Sequence, residues 1–185
     1  MNVRVMEKRM SSDLQITPET KVATLLNHYP ELEDVLIRMA PPFKKLKNPI
    51  LRRSVAKVAS LKQAAAVGRI PVDEMVNTLR AAVGQKTGRL ERDDDAVSYF
   101  SGQPEWFDRD KVVESMVEDE LDADVMPLNP LIRRATKLRQ GEIIELVTKY
   151  LPAPGIDIMK GKGFVVWSVE EGELIKTYFS KPIRP

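Results

Sequence analysis

The sequence predicts an α+β protein, with an N-terminal all-α helical domain followed by a two-layer βαβαββ sandwich that contains a mixed four-stranded sheet. Residues 13–84 carry apolar side chains at helical spacing and no alternating strand pattern. Residues 85–111 lose this period, and residues 112–182 alternate strand-like and helix-like segments. We therefore expect a small α-helical domain at 13–84, a charged and partly packed linker at 85–111, and an α/β domain at 112–182.

Prolines set the expected boundaries of the first helices. Thr17 is predicted to cap a helix that begins at Pro18, because proline has no N–H to leave unsatisfied in the first turn. Pro30 interrupts this helix, and a second one ends before Pro41, since a residue preceding proline is disfavoured in helical geometry. A third helix is predicted from Pro49 to Val58.

Two more helices complete the predicted helical domain. Ser60 and Gln63 have the spacing of a capping box, in which each residue's side chain accepts from the other's backbone N–H, and they open the fourth helix. We expect Gly68 to end that helix. The fifth helix is predicted over residues 72–83 and is closed by Gly84.

The C-terminal segment is predicted to contain six elements. These are a strand at 112–121, a helix at 131–140, a strand at 142–148, a helix at 152–160, and strands at 164–169 and 174–179. Gly172 lies in a hairpin-length connection between the last two strands. The order βαβαββ predicts that both helices cover one face of the sheet. The preceding linker holds too many aromatic residues for a freely solvated tether, so part of it should pack: Tyr99, Phe100, Trp106 and Phe107.

Composition excludes several kinds of chemistry. The 185 residues include no cysteine, which excludes a thiolate nucleophile, a persulfide carrier and any cysteine-based zinc or iron–sulfur site within the chain. His28 is the single histidine, so a metal site with two imidazoles cannot form within one subunit. The apolar runs are too short to cross a bilayer and the N-terminus lacks the apolar core of a signal peptide, so we predict a cytoplasmic protein without a membrane partner.

Charge is segregated along the chain, although the net charge is only +2. Residues 41–90 hold 11 basic and 2 acidic side chains, a net charge of +9. Residues 91–125 hold 3 basic and 13 acidic side chains, a net charge of −10. This asymmetry indicates either that the two blocks face each other in the fold or that each attracts a different partner.

Three short motifs relate the C-terminal segment to a known superfamily. Leu121-Asp122 ends the first predicted strand, Pro127-Leu128-Asn129-Pro130 forms a turn before the first helix, and Gln140-Gly141-Glu142 precedes the second strand. With the order of elements, these residues resemble the TusA/SirA-like sulfur-carrier superfamily, in particular its thiol-free branch of unknown function. TusA-type carriers have Cys-Pro-x-Pro at this turn, and the cysteine bears the persulfide. Because Met126 and Pro127 stand here, the resemblance implies the fold and not sulfur transfer.

The N-terminal segment carries a second set of motifs. They are Ile16-Thr17, the stretch from Leu25 to Leu36, the restart from Val58 to Ala65, and the segment from Ile70 to Met75. On these residues the segment resembles a small helical bacterial family numbered 1858 among the domains of unknown function. Many relatives carry a cysteine-containing loop after the second helix and occur beside iron–sulfur, hybrid-cluster or haemerythrin-like modules. This chain has the cysteine-free segment 41–49 in that place.

The proline turn is the first candidate site. A helix N-terminus presents unpaired N–H groups that favour an anion, and two arginines follow. The candidate ligand-binding residues are Pro127, Asn129, Pro130, Arg133 and Arg134. The expected occupant is a small anionic ligand or an acidic partner segment; the alternative is a rigid strand-to-helix connection with solvated arginines.

A basic patch is the second candidate site. It consists of Lys44, Lys45, Lys47, Arg52, Arg53 and Lys57. Nucleic-acid binding would need a whole basic face with aromatic stacking, and only Phe43 is interleaved. Nucleic acid therefore ranks below an acidic protein partner, self-association or a plain solvated surface.

Neither the histidine nor the acidic runs predict a metal site or a cofactor. His28 would need a second ligand, such as Met39 or a residue of another subunit. The acidic runs lack the spacing of a calcium loop and are interpreted as solvated charge: Asp93, Asp94, Asp95, Glu118, Asp119 and Glu120.

The sequence therefore predicts a non-enzymatic binding or regulatory protein, an accessory to sulfur, iron–sulfur or respiratory metabolism that lacks the carrier cysteine. Its expected partner is another protein or a second copy of the chain. One alternative is a sensor or enzyme for a small anionic ligand at the proline turn. Another is nucleic-acid binding through the basic segment 43–69.

Overall fold

The protein has a mixed α+β fold, with helices mostly in the N-terminal part and strands in the C-terminal part. A computed structural model describes residues 14–49, 56–90, 99–118 and 128–183. We refer to residues 14–90 as the helical region and to residues 99–183 as the α/β region. Within the described residues, no helix is both long and apolar enough to span a bilayer.

The helical region is built from short amphipathic elements. These are α1 (Val22–His28), α2 (Leu32–Met39), a 3₁₀ helix (Pro41–Lys47), α3 (Leu61–Gly68) and α4 (Val72–Ala82). Residues 56–58 are also helical, whereas 50–55 lie outside the described residues, which leaves the predicted third helix only partly described. Side chains from all of these elements form one apolar cluster, with Leu25, Leu36 and Met75 at its centre.

The first helix starts later than the sequence predicts. Thr17 does not cap it, because the Thr17 N–H donates to Thr20 Oγ1 at 2.9 Å within a turn, and α1 begins only at Val22. The carbonyls of Pro18 and Thr20 accept from the backbone of Lys62 and Leu61, at 2.8 and 2.9 Å. Pairing with the start of α3 therefore replaces the predicted first helical turn.

The capping box at the start of α3 is confirmed, but its end is not. The Ser60 N–H donates to Gln63 Oε1 at 2.9 Å, and the Gln63 N–H donates to Ser60 Oγ at 3.3 Å. Gly68 is still helical, and Arg69 adopts the left-handed conformation after it, with φ 55°. A Cβ on Gly68 would lie only 3.0 Å from Cζ of Phe43, so this glycine permits close packing rather than chain reversal.

The α/β region contains a mixed four-stranded sheet, as the sequence predicts. Its element order is β1 (Val112–Val117), α5 (Leu128–Ala135), β2 (Ile143–Thr148), α6 (Ala153–Gly161), β3 (Val165–Glu171) and β4 (Leu174–Ser180). The strand order is β1-β2-β4-β3, with β1 parallel to β2 and the other pairs antiparallel. Gly172, at φ 64°, makes the tight turn between β3 and β4.

Helix α5 is displaced from its predicted range of 131–140. Pro130 lies inside the helix, which ends at Ala135. The Lys181 ammonium group donates to the carbonyls of Thr136 and Leu138, at 2.7 and 2.8 Å. These bonds satisfy backbone carbonyls just beyond the end of the helix and tie this segment to the residue that follows β4. The prediction placed the helix too late because it took Pro130 as a turn residue.

The two faces of the sheet are covered by different segments of the chain. Ile144, Leu146 and Phe179 point toward α5 and α6 and form one apolar cluster with them. Ile143, Trp167 and Tyr178 form a second cluster, against Trp106 and Phe107 of the preceding segment. All six residues of β2 are buried, because both faces of this strand are covered.

Candidate ligand-binding cavity

An apolar cavity of about 210 Å³ lies between the helical region and the α/β region. Its helical wall comes from α1, α2, the 3₁₀ helix, residues 56–59 and α3; its other wall comes from α5, β2 and the start of α6. The apolar lining includes Val22, Leu36, Phe43, Leu46, Val67, Leu128, Leu131, Leu146 and Leu151. The polar lining among described residues is Lys45, Gln63, Glu118, Thr148 and Tyr150.

Small side chains explain why space remains between these walls. Ala56, Ala59 and Ala64 stand on the helical side, and Gly155 stands in the first turn of α6. A Cβ on Gly155 would meet Leu128 Cδ1 at 3.6 Å, which is ordinary contact, so this glycine is not required by crowding. Small residues at facing positions leave a gap that rigid helices cannot close.

The border of the cavity carries one ion pair and one aromatic ring. Lys45 Nζ lies 2.8 Å from Glu118 Oε1 and 4.9 Å from the ring centroid of Tyr150. The two charged side chains are 45% and 24% exposed, so the pair is accessible to solvent and to a ligand. Among the described residues no hydrogen-bond partner is found for the Tyr150 hydroxyl group.

The Asp157 carboxylate accepts two hydrogen bonds beside the cavity, and the one from Gln63 joins the helical region to the α/β region. Gln63, whose Oε1 completes the capping box, donates through Nε2 to Asp157 Oδ2 at 2.5 Å. Tyr99 also donates its hydroxyl to Asp157 Oδ2, at 2.9 Å. Burial, and next the hydrogen bond to the Asp157 carboxylate, raise the pKa of Tyr99. A second link is the exposed ion pair of Arg69 with Glu170, at 2.6 Å.

The residues predicted at the proline turn do not converge on one point. Pro127 lies outside the described residues, Asn129 is exposed, and Pro130 is buried. Arg133 and Arg134 are in the last turn of α5, at the opposite end from its free N–H groups. Arg134 forms an ion pair with Glu114 of β1. It is Leu128 and Leu131 of this helix that line the cavity.

The predicted basic patch is spread over the surface of the helical region. Lys44, Lys47 and Lys57 are exposed, and Lys45 lies at the cavity border. Arg52 and Arg53 lie outside the described residues. The pair of Lys45 with Glu118 joins the +9 and −10 blocks at one described point. Eight of the 13 acidic side chains of the −10 block lie in residues 91–98 and 119–125, outside the described part of the chain.

Of the remaining candidates that the structure describes, Glu118 lines the cavity and His28 does not. His28 is exposed at the end of α1, and its Nε2 accepts from the Leu14 N–H at 3.4 Å. The acidic residues Asp93, Asp94, Asp95, Asp119 and Glu120 lie outside the described residues. In the described ranges, no group of three or more histidine, cysteine, aspartate or glutamate residues could hold a metal ion.

The sequence interpretation missed a buried carboxylate on the far side of the sheet. Glu145 of β2 accepts from Ser115 Oγ at 2.6 Å and from the Tyr178 hydroxyl at 2.9 Å. Arg109 in turn donates to the Tyr178 oxygen at 3.4 Å. Burial, and next the hydrogen bond to Glu145, raise the pKa of Tyr178 to about 12. The signal in the sequence was a single glutamate between the apolar residues Ile144 and Leu146 of a buried strand.

Comparison with known proteins supports the N-terminal resemblance. Residues 16–76 match the family model of a domain of unknown function, DUF1858. The match covers most of the helical region and includes Val22, Leu36, Phe43 and Ala64 of the cavity wall. No curated protein and no solved structure shows significant similarity to the chain.

Proposed function

We propose that this chain is a non-enzymatic binding protein that holds a small ligand with an apolar part in the cavity between its two regions. The observation that supports the proposal is the cavity itself, at about 210 Å³ with a predominantly apolar lining. An apolar cavity of about 150 Å³ is enough to bind benzene. A gap left empty deprives its lining of dispersion contacts, so an apolar occupant regains them.

The position of the cavity suggests a regulatory role for the ligand. A bound molecule would contact Phe43 and Val67 of the helical region and Leu131 and Leu146 of the α/β region at the same time. Ligand binding would therefore favour the arrangement in which the two regions are packed together. A protein partner that contacts both regions could then distinguish the occupied form from the empty one.

The α/β region is proposed to be a separately folding, thiol-free TusA-like domain with a two-layer sandwich fold. Support comes from the order β1-α5-β2-α6-β3-β4 and from the shared apolar cluster of α5, α6 and one sheet face. Because the chain has no cysteine, persulfide chemistry is not part of the proposal. A cytoplasmic location and a partner from sulfur, iron–sulfur or respiratory metabolism follow from the resemblance and are proposed with it.

The first test uses ethylbenzene as an apolar probe on the whole chain. We expect saturable binding by calorimetry and a rise in melting temperature of about 2–4 °C for each kcal/mol of ligand stabilisation. Ala64→Leu extends a side chain into the cavity from α3 and should weaken probe binding at least tenfold. Ala81→Leu is the matched control, because Ala81 is an exposed alanine of α4.

The outcomes of this test separate the alternatives. Loss of probe binding in Ala64→Leu but not in Ala81→Leu places the ligand in the cavity. Absence of binding by the wild-type chain to ethylbenzene and to its polar derivatives would remove the proposal. Equal binding by all three proteins would place the probe elsewhere and would also contradict it.

A further inference from the structure

We infer that the ligand is an α-amino acid with a bulky apolar side chain, an inference that rests on the binding function proposed above. The cavity would receive the side chain, and the Lys45–Glu118 pair at its border would receive the charged backbone groups. The combination of an apolar interior with one cation and one anion at the same border points to a zwitterion.

Charge balance selects a zwitterion over a simple acid or amine. Lys45 and Glu118 are now each other's partner at 2.8 Å. A carboxylate ligand that took Lys45 would leave Glu118 without its partner and close to a like charge. An amine that took Glu118 would do the same to Lys45. A ligand that carries both groups replaces the one ion pair by two, so no charge is left uncompensated.

Tyr150 supplies a further contact for the charged end of the ligand. Its ring already holds the Lys45 ammonium group at 4.9 Å, which shows that a cation is accommodated there. Its hydroxyl group has no partner among the described residues and can donate to a carboxylate. The amino acid would therefore meet Lys45, Glu118 and Tyr150 through its backbone groups.

The size of the cavity limits the side chain. At about 210 Å³ it exceeds the roughly 150 Å³ that holds benzene, so a phenyl ring with its methylene group fits. The lining near the interior is aliphatic and aromatic, with Leu36, Phe43 and Leu146 among its members. Phenylalanine or leucine therefore matches the interior, whereas a charged side chain would be buried there without a partner.

The test compares four compounds that share the phenylethyl group, using the whole chain and calorimetry. These are L-phenylalanine, 3-phenylpropanoate without the ammonium group, 2-phenylethylamine without the carboxylate, and ethylbenzene without either. We expect L-phenylalanine to bind at least about tenfold more tightly than each analogue, because each analogue loses a charge-assisted hydrogen bond.

Two variants test the contribution of the charged border to binding separately from that of the apolar interior. Glu118→Gln should weaken L-phenylalanine binding about tenfold and leave ethylbenzene binding within about twofold, since only the border changes. Glu171→Gln is the matched control, because Glu171 is exposed, forms an ion pair with Lys176 of the neighbouring strand and does not line the cavity. It should change neither affinity.

Failure of this inference is distinguishable from failure of the proposed function. If ethylbenzene or one charged analogue binds as tightly as L-phenylalanine, the assignment of a zwitterionic ligand is wrong, whereas the proposed apolar binding cavity stands. If L-phenylalanine binds best but Glu118→Gln binds it unchanged, the assigned border is wrong. If none of the four compounds binds, both proposals are overturned.

Discussion

The two faces of the β-sheet are closed in different ways. On one face, α5 and α6 cover Ile144, Leu146 and Phe179 with apolar side chains, and the space beyond them opens into the cavity. On the other face, an irregular segment lays Phe107 against Trp167 and Tyr178, with ring centroids 4.6 and 4.5 Å apart.

The two faces differ in the interactions that fix the covering segments to the sheet. Helices satisfy their own backbone and can pack through apolar contacts alone, but as rigid bodies they leave gaps where facing residues are small. An irregular segment must find partners for its polar groups, and here the Trp167 indole N–H donates to the Ser101 carbonyl at 3.0 Å. The first face therefore offers space for a ligand, and the second offers fixed hydrogen bonds.

The largest expected effect is on the helix-covered face. Phe179 is fully buried between the sheet and the helices, so Phe179→Ala should lower the free energy of unfolding by about 3–5 kcal/mol. Urea unfolding measures the change. Phe107→Ala on the other face should cost less, because Phe107 is only partly buried. An equal loss in the two variants would contradict the proposed contrast.

The next largest effect should come from the hydrogen bonds of the second face. Glu145→Ala removes the acceptor for both Ser115 and Tyr178. The Ser115 hydroxyl group can turn to solvent because this residue is exposed, but the buried Tyr178 hydroxyl group loses its acceptor, which should cost about 1–3 kcal/mol. Glu145→Gln keeps one acceptor and should cost less. Glu173→Ala, in the exposed turn between β3 and β4, is the control and should have little effect. Denaturant unfolding of the three variants tests the order.

The same face should make stability depend on alkaline pH. The pKa of Tyr178 is raised from 10.0 to about 12 in the folded chain, so between these values the folded state binds more protons than the unfolded state. Its contribution to stability is complete below about pH 10 and falls as pH rises toward 12. Tyr178→Phe should flatten this part of the stability curve. The ultraviolet absorbance of tyrosinate should likewise show one late-titrating group fewer in the variant.

The smallest expected effect is at the edge of the cavity. Gly155→Ala should raise the free energy of unfolding by about 0.5–1 kcal/mol, because alanine favours the helix and its Cβ meets Leu128 at an ordinary 3.6 Å. Gly68→Ala is the contrasting case, since its Cβ would be only 3.0 Å from the Phe43 ring and should destabilise the chain. Thermal melting of both variants measures effects of opposite sign.

Local signals predicted the elements that depend on local chemistry. The Ser60–Gln63 capping box, the Gly172 turn and the mixed four-stranded sheet in the C-terminal part are confirmed. The prediction at Thr17 was wrong because a distant part of the chain pairs with this segment. The start of α5 was predicted too late because Pro130 was assigned to the preceding turn, and its end is set by a distant lysine. Residues 59–62 form backbone hydrogen bonds with the segment before α1, and the Lys181 ammonium group donates to the carbonyls beyond the end of α5.

The candidate site was largely beyond prediction from the sequence. Basic residues near position 45 and the segment around Leu128 were singled out, and Lys45 and Leu128 do line the cavity. Glu118 was interpreted as solvated charge, and Tyr150 and Gly155 were not noticed. These residues come from elements far apart in the chain, and each is ordinary in its own segment. They can contact one ligand together only because the fold brings them to the same cavity.

The sequence by itself determined the absence of cysteine thiols, the α+β class, the match of residues 16–76 to a domain family of unknown function and the segregation of charge. These depend on composition and on short-range periodicity. Tertiary structure decided that Lys45 meets Glu118, that the gap between Ala64 and Leu131 stays open, and that Glu145 is buried with two donors. The reason is physical: cavities and buried pairs are set by which surfaces pack together, and packing is a property of the whole chain.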